Sequence, residues 1–140
     1  MKHINLLLFT AILIWSCSQQ PASENQTEET QPEEWTGMDE FHMVMAESFH
    51  PYRDSANIEP AKQYAAEMVA AAEAWSKNTI PSRVDNEEVR KLMDQLKAQC
   101  QQLLDATTSN GADSIGSTLT TVHDTFHHLQ EKWYQKEEHH

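Results

Sequence analysis

Residues 113–133 read DSIGSTLTTVHDTFHHLQEKW, and within them Ile115, Leu119, Val122, Phe126, Leu129 and Trp133 recur at alternating steps of four and three. That spacing lines one stripe of a helix with apolar side chains, so the segment predicts a helix from Asp113 with one face against neighbours. Working back, Met38, Phe41, Met45 and Phe49 recur at helical spacing after Thr36-Gly37-Met38-Asp39, a capping-box-like start. This first helix is expected to end near His50, because Pro51 disfavours helical geometry in the residue before it. Pro60 suits the first turn of a second helix carrying Tyr64, Met68, Ala72 and Trp75 on one face, and the pattern fails around residues 78–81. Asp85 with Glu88 predicts a capping box for a third helix. It runs through Val89, Leu92, Leu96, Cys100 and Leu103 to the stop at Ser109, Asn110 and Gly111. Four amphipathic helices joined by short loops predict an all-α, antiparallel up-down-up-down four-helix bundle over residues 37–137. In that topology Trp35, Trp75 and Trp133 fall at one pole, as a hydrophobic plug or, alternatively, an aromatic ligand pocket.

The whole chain has 140 residues, with 22 acidic against 10 basic side chains and a formal charge of -12. That leaves room for one small core and no second one. It also argues against nucleic acid as a partner, since neutralising phosphates takes clustered Lys and Arg. With 3 glycines, neither the Walker nor the dinucleotide-binding glycine motif can be written, which excludes the common nucleotide chemistries. No nucleophile and base set is recognisable, and the chain does not read as an enzyme.

Residues 1–16 carry Lys2 and His3 followed by an apolar run from Leu6 to Trp15, too short to span a bilayer and of the form of a signal peptide. The run ends Ile14-Trp15-Ser16-Cys17 and turns abruptly polar. Here the chain resembles the bacterial lipoproteins, with Trp15 standing where that family has a smaller residue. The resemblance covers the first twenty residues. It implies cleavage before Cys17, diacylglycerol on the Cys17 sulfur and a palmitate-type chain on its amino group, anchoring the protein to a membrane. From Ser18 to about Thr36 the composition is Gln, Glu, Ser, Thr and Pro, too polar to offset the entropy of ordering, so residues 17–36 read as a lipidated cysteine and acidic tether. Ser18, rather than Asp, after the lipidated position implies by the same resemblance the outer membrane, with the bundle facing the periplasm. A lipidated Cys17 leaves Cys100 without an intrachain disulfide partner.

Histidines in the predicted bundle lie on its first and last helices: His42 and His50, then His123, His127 and His128. Residues three or four apart share a helix face, which pairs Glu47 with His50 and His123 with His127. At about 1.5 Å per residue from the tryptophan pole, Glu47 lies roughly 15 Å deep, His50 roughly 20 Å, His123 roughly 18 Å and His127 roughly 12 Å. These levels overlap on neighbouring helices, so Glu47, His50, His123 and His127 are candidate ligands of one ion. His42, at roughly 8 Å, is a candidate second rung with His127. Imidazole with carboxylate suits Zn, Ni, Co or Cu(II), whereas Met45, Met68, Met93 and Cys100 would suit Cu(I) if they did more than fill the core.

The expected function is thus a lipid-anchored periplasmic protein that binds a transition-metal ion for storage, sensing or delivery. One alternative is electron transfer. Methionine near the start of the first helix and histidine late on the fourth resemble the soluble b-type cytochromes, and the bundle resembles cytochrome c-prime. CxxCH is absent, so this resemblance implies non-covalent haem b, with Met38 or Met45 opposite His127 or His128 as axial ligands. Hemerythrin-like di-iron chemistry draws ligands from all four helices, and the middle two supply no histidine. A further alternative is a protein-binding or chaperone-like helical module without metal, which predicts an exposed apolar groove.

Overall fold

The computed structural model describes residues 34–109 and 111–135. Cys17, the signal segment and tether up to residue 33, Asn110, and the terminal His139 and His140 lie outside them. The described residues form α1 (Met38–Ser55), α2 (Glu59–Lys77), α3 (Glu87–Thr108) and α4 (Ala112–Tyr134), with no strand among them. All four helices pack side by side around one core, as an all-α four-helix bundle. None of them is long and apolar enough to cross a membrane.

Each helix buries most of the stripe that its periodicity sets, although Leu92, expected on the α3 face, is only half-buried and Met93 is buried beside it. On α4, Ile115, Leu119, Val122, Phe126 and Leu129 are fully buried and Trp133 nearly so. On α2 the buried set is Ala61, Ala65, Met68, Ala72 and Trp75, while Tyr64, expected on this face, is only half-buried. Alanine at these core positions lets backbones approach closely, and the large side chains of α1 and α4 fill the remaining space. Met45, Met68, Met93 and Cys100 are all buried core residues.

The helix ends differ from expectation in three places, each for a local reason. α1 does not stop at His50 but runs through Pro51 to Ser55. Proline removes the hydrogen bond that the Glu47 carbonyl would accept. The last turn is held instead by buried Phe49, by half-buried Tyr52 lying over Gly116 of α4, and by a left-handed cap at Ala56, whose N–H donates to the Tyr52 carbonyl at 2.7 Å. At the start of α1 no side chain caps the helix. Gly37 takes a φ of 99°, and the Phe41 N–H donates to its carbonyl at 3.1 Å. For α3 the cap is Asn86, whose Oδ1 accepts from the Val89 N–H at 3.0 Å. Asp85 serves otherwise, receiving both hydrogen bonds of an Arg90 fork at 2.8 Å.

Contacts of α1 and the residues just before it with α4 pair rising with falling residue numbers: Trp35 with Trp133, His42 with Phe126, Phe49 with His123, and Tyr52 with Gly116. This is the order that oppositely directed neighbours produce. Lys132 near the end of α4 pairs likewise with Glu88 at the start of α3, at 3.0 Å. Of the four helix pairs that close the ring, the backbones of α1 and α4 approach each other least closely.

The three tryptophans meet as expected. Trp35 lies edge-on to Trp75 with centroids 4.9 Å apart and tilted against Trp133 at 5.9 Å, and the Arg83 guanidinium sits 3.4 Å above the Trp133 ring. The indole N–H groups of Trp35 and Trp75 meet no acceptor among the described residues. Apolar area and ring contacts therefore hold this plug, each aromatic pair adding about 0.5–1.5 kcal/mol beyond its buried area.

Candidate metal centre

Helix geometry alone brings His123 and His127 together, because residues four apart stand one above the other on a shared face. Their rings meet edge to face with centroids 4.4 Å apart. Both are half-buried, and His123 lies on the seam between α1 and α4. The His123 ring stacks on Phe49 at 3.7 Å, only 15° from parallel, while His127 turns its edge to Phe126 at 5.5 Å. The Nδ1 atom of His123 lies 3.1 Å from Oδ1 of Asp124.

The electrostatics favour a neutral His123. Partial burial holds its pKa below the usual imidazole value, and the nearby His127 and His50 push the same way against the opposing pull of Asp124. A neutral ring keeps a nitrogen lone pair free, which a metal ligand requires.

The other predicted ligands do not join this pair. Among the described residues, no group of three or more His, Cys, Asp or Glu is gathered closely enough to hold an ion. The set Glu47, His50, His123 and His127 is thus not assembled in this conformation, and the depth count shows why. It gave the right level on α1 but left out rotation about the helix, which is about 100° per residue. Phe49 takes the place against His123, and its neighbour His50 is turned outward and exposed, as is Glu47. His42 forms no rung with His127 and stacks instead on Phe126 at 5.1 Å. The sequence reading also missed that Phe49 and Phe126 would use imidazoles as stacking partners. The signal was present in the repeated Phe-His phrases at 49–50 and 126–127. His128 is exposed beside a shallow cleft of about 230 Å³ with Glu88, Glu131 and Lys132.

The soft ligands are enclosed. Burial pushes the Cys100 thiol up from 9.0 to about 12, so at neutral pH it is a protonated, unreactive core group. In the full chain with Cys17→Ser, Cys100 is expected to resist thiol reagents until denaturant opens the fold. Prompt labelling of the native chain would contradict this burial. The sign for stability follows from the raised value: an unfolded thiol loses its proton above about pH 9 and the folded one does not. The Cys100 contribution is therefore intact below pH 9 and declines as pH rises from there towards 12. Met45, the expected haem ligand on α1, is 2 % exposed, and ligating a haem through it would require opening the core around it.

No family model matches this chain, and comparison with curated proteins and with solved structures finds no match either.

Proposed function

We propose that this protein is a lipid-anchored envelope protein whose bundle binds one transition-metal ion at the seam between α1 and α4. His123 and His127 are the primary chelate. The observation that carries this reading is the edge-to-face imidazole pair, 4.4 Å between centroids. Imidazole nitrogens suit Zn, Cu(II), Ni or Co, and a moved side chain with water would have to complete the shell. The chain's net charge of -12 favours the approach of cations. Lipid attachment at Cys17 and an outer-membrane location rest on the Ile14-Trp15-Ser16-Cys17 phrase and the polar tether after it. The role of such a protein is to store, sense or hand on the ion.

Calorimetric titration of the full chain with each metal, together with an absorption spectrum, tests the reading. One equivalent is expected to bind, without a Soret band, and binding is expected to disappear in the His123→Ala, His127→Ala double variant while helicity is kept. A His128→Ala, His139→Ala, His140→Ala variant is expected to retain the site, separating the seam from casual chelation. Undiminished binding by the seam variant, or a wild-type chain that binds none of the metals, would refute the proposal.

A further inference from the structure

The two buried indole N–H groups at the tryptophan pole belong to side chains that are held in different ways. Trp75 stands on α2, where its ring also touches Phe41 at 5.8 Å and Phe126 at 6.1 Å, and Trp133 stands on α4. Trp35 lies outside the helices, before the start of α1 at Met38, yet it is 2 % exposed and its ring packs on both of the others. Among the described residues one hydrogen bond ties its segment to another helix end, from Nδ2 of Asn78 to the Thr36 carbonyl at 2.9 Å. Gly37, at a φ of 99°, is the joint between this segment and α1. Trp35 is also an imperfect occupant. An indole N–H donates and cannot accept, so the ring of Trp35 offers nothing to the N–H of Trp75, and both donors stay buried without an acceptor among the described residues. Folded interiors seldom leave such groups, since each gives up its bond to water and gains none. A phenylalanine at position 35 would supply a ring with no donor to bury.

We propose that the tryptophan pole is a binding seat for a small planar ring compound carrying a carbonyl or carboxylate oxygen, with Trp35 as the lid that fills the seat until such a compound displaces it. Trp35 itself sets the size of what fits, and the unpaired N–H of Trp75 sets the polarity. Trp133 supplies a ring wall, and Arg83, exposed and 3.4 Å above that ring, places a positive charge beside the seat. In the exchange the incoming ring takes over the contacts of the Trp35 ring, so apolar burial changes little. The gain is a hydrogen bond from Trp75 to the new oxygen, together with the return of the Trp35 N–H to water. Binding to the intact chain is modest in strength, because Trp35 competes from the same chain at high effective concentration. The seat is independent of the metal reading.

Nitrogen-15 spectra of the full chain, titrated with indole-3-acetate, neutral indole-3-acetamide and oxygen-free 3-methylindole, test the proposal. In the wild type the Trp75 indole N–H resonance is expected to move downfield with the two oxygen-bearing probes as it gains an acceptor. Trp35→Ala is expected to bind them at least about 10-fold more tightly, since no lid competes. Trp75→Phe keeps a ring and loses the donor, so it is expected to bind them about 10-fold more weakly while its affinity for 3-methylindole is unchanged. A preference for the acetate supports the seat with Arg83 drawing an anion, and a preference for the acetamide supports it with a neutral carbonyl. A folded Trp35→Ala chain that binds neither, or equal affinity for 3-methylindole and the oxygen-bearing probes, would overturn the proposal and leave a plug that only stabilises. If Trp35→Ala does not fold, the wild type decides by itself: a Trp75 resonance unmoved at millimolar probe overturns the proposal.

Discussion

Replacing Trp75 with alanine is expected to lower the stability of the bundle by about 3–5 kcal/mol, the range for deleting a buried large aromatic side chain. Trp75 is 1 % exposed and touches three other rings: Trp35 at 4.9 Å, Phe41 at 5.8 Å and Phe126 at 6.1 Å. Its loss leaves a cavity that the neighbouring helices fill only by shifting together. In a domain of this size each kcal/mol moves the melting temperature by about 4–8 °C, so thermal unfolding followed by circular dichroism should show a fall of roughly 12–40 °C. Trp75→Phe is expected to cost much less, because most ring contacts survive and no hydrogen bond is given up. A loss below about 1 kcal/mol for Trp75→Ala would show that the pole is not part of the cooperative core.

Gly37→Ala is the second large effect, expected at about 2–4 kcal/mol from two additive causes. A φ of 99° places any L side chain in the left-handed region. The added Cβ would also stand 2.9 Å from Cδ1 and 3.0 Å from the backbone Cα of Trp75. A backbone atom cannot rotate away, so either α1 or α2 must move. It would stand equally close to Nδ2 of Asn78, which donates to the Thr36 carbonyl at 2.9 Å and ties this turn to the end of α2. Gly116→Ala makes the useful contrast. There the clash, at 2.6 Å, is with the outer atoms of the Tyr52 ring, whose displacement loosens only the last turn of α1, and alanine favours a helix interior. Chemical denaturation of both variants should therefore find Gly37→Ala clearly the more damaging. In a Trp75→Ala background the Gly37 penalty should shrink as the Cδ1 contact disappears.

Much of the bundle was legible because helical periodicity reports directly on burial. The α4 stripe from Ile115 to Trp133 and the meeting of Trp35, Trp75 and Trp133 follow from spacing and loop length alone. Helix ends were less legible, since they depend on contacts remote in sequence. Pro51 reads locally as a stop, and the packing of Tyr52 over Gly116, 64 residues further along, is what carries α1 past it. Tyr64 looked like a core residue by size, yet the alanines take the inner positions of α2, because close approach there rewards small side chains. At the site, the pair His123 and His127 was readable because one helix fixes both. Which residue of α1 faces that pair was not. Whether Phe49 or His50 faces His123 depends on how α1 is rotated in its groove, and a count of depth along the axis carries no information about that angle.

The gathering of aromatic rings at one pole also determines what light can report. Apart from Trp15, every indole of the chain lies in this single cluster, with Trp35 the hub of the other two. Intrinsic fluorescence is therefore a local probe of one end of the bundle. Fraying at the opposite end, where Tyr52 covers Gly116, would leave the emission unchanged while far-ultraviolet dichroism fell. Separation of those two melting curves would expose an unfolding order that either signal alone would hide.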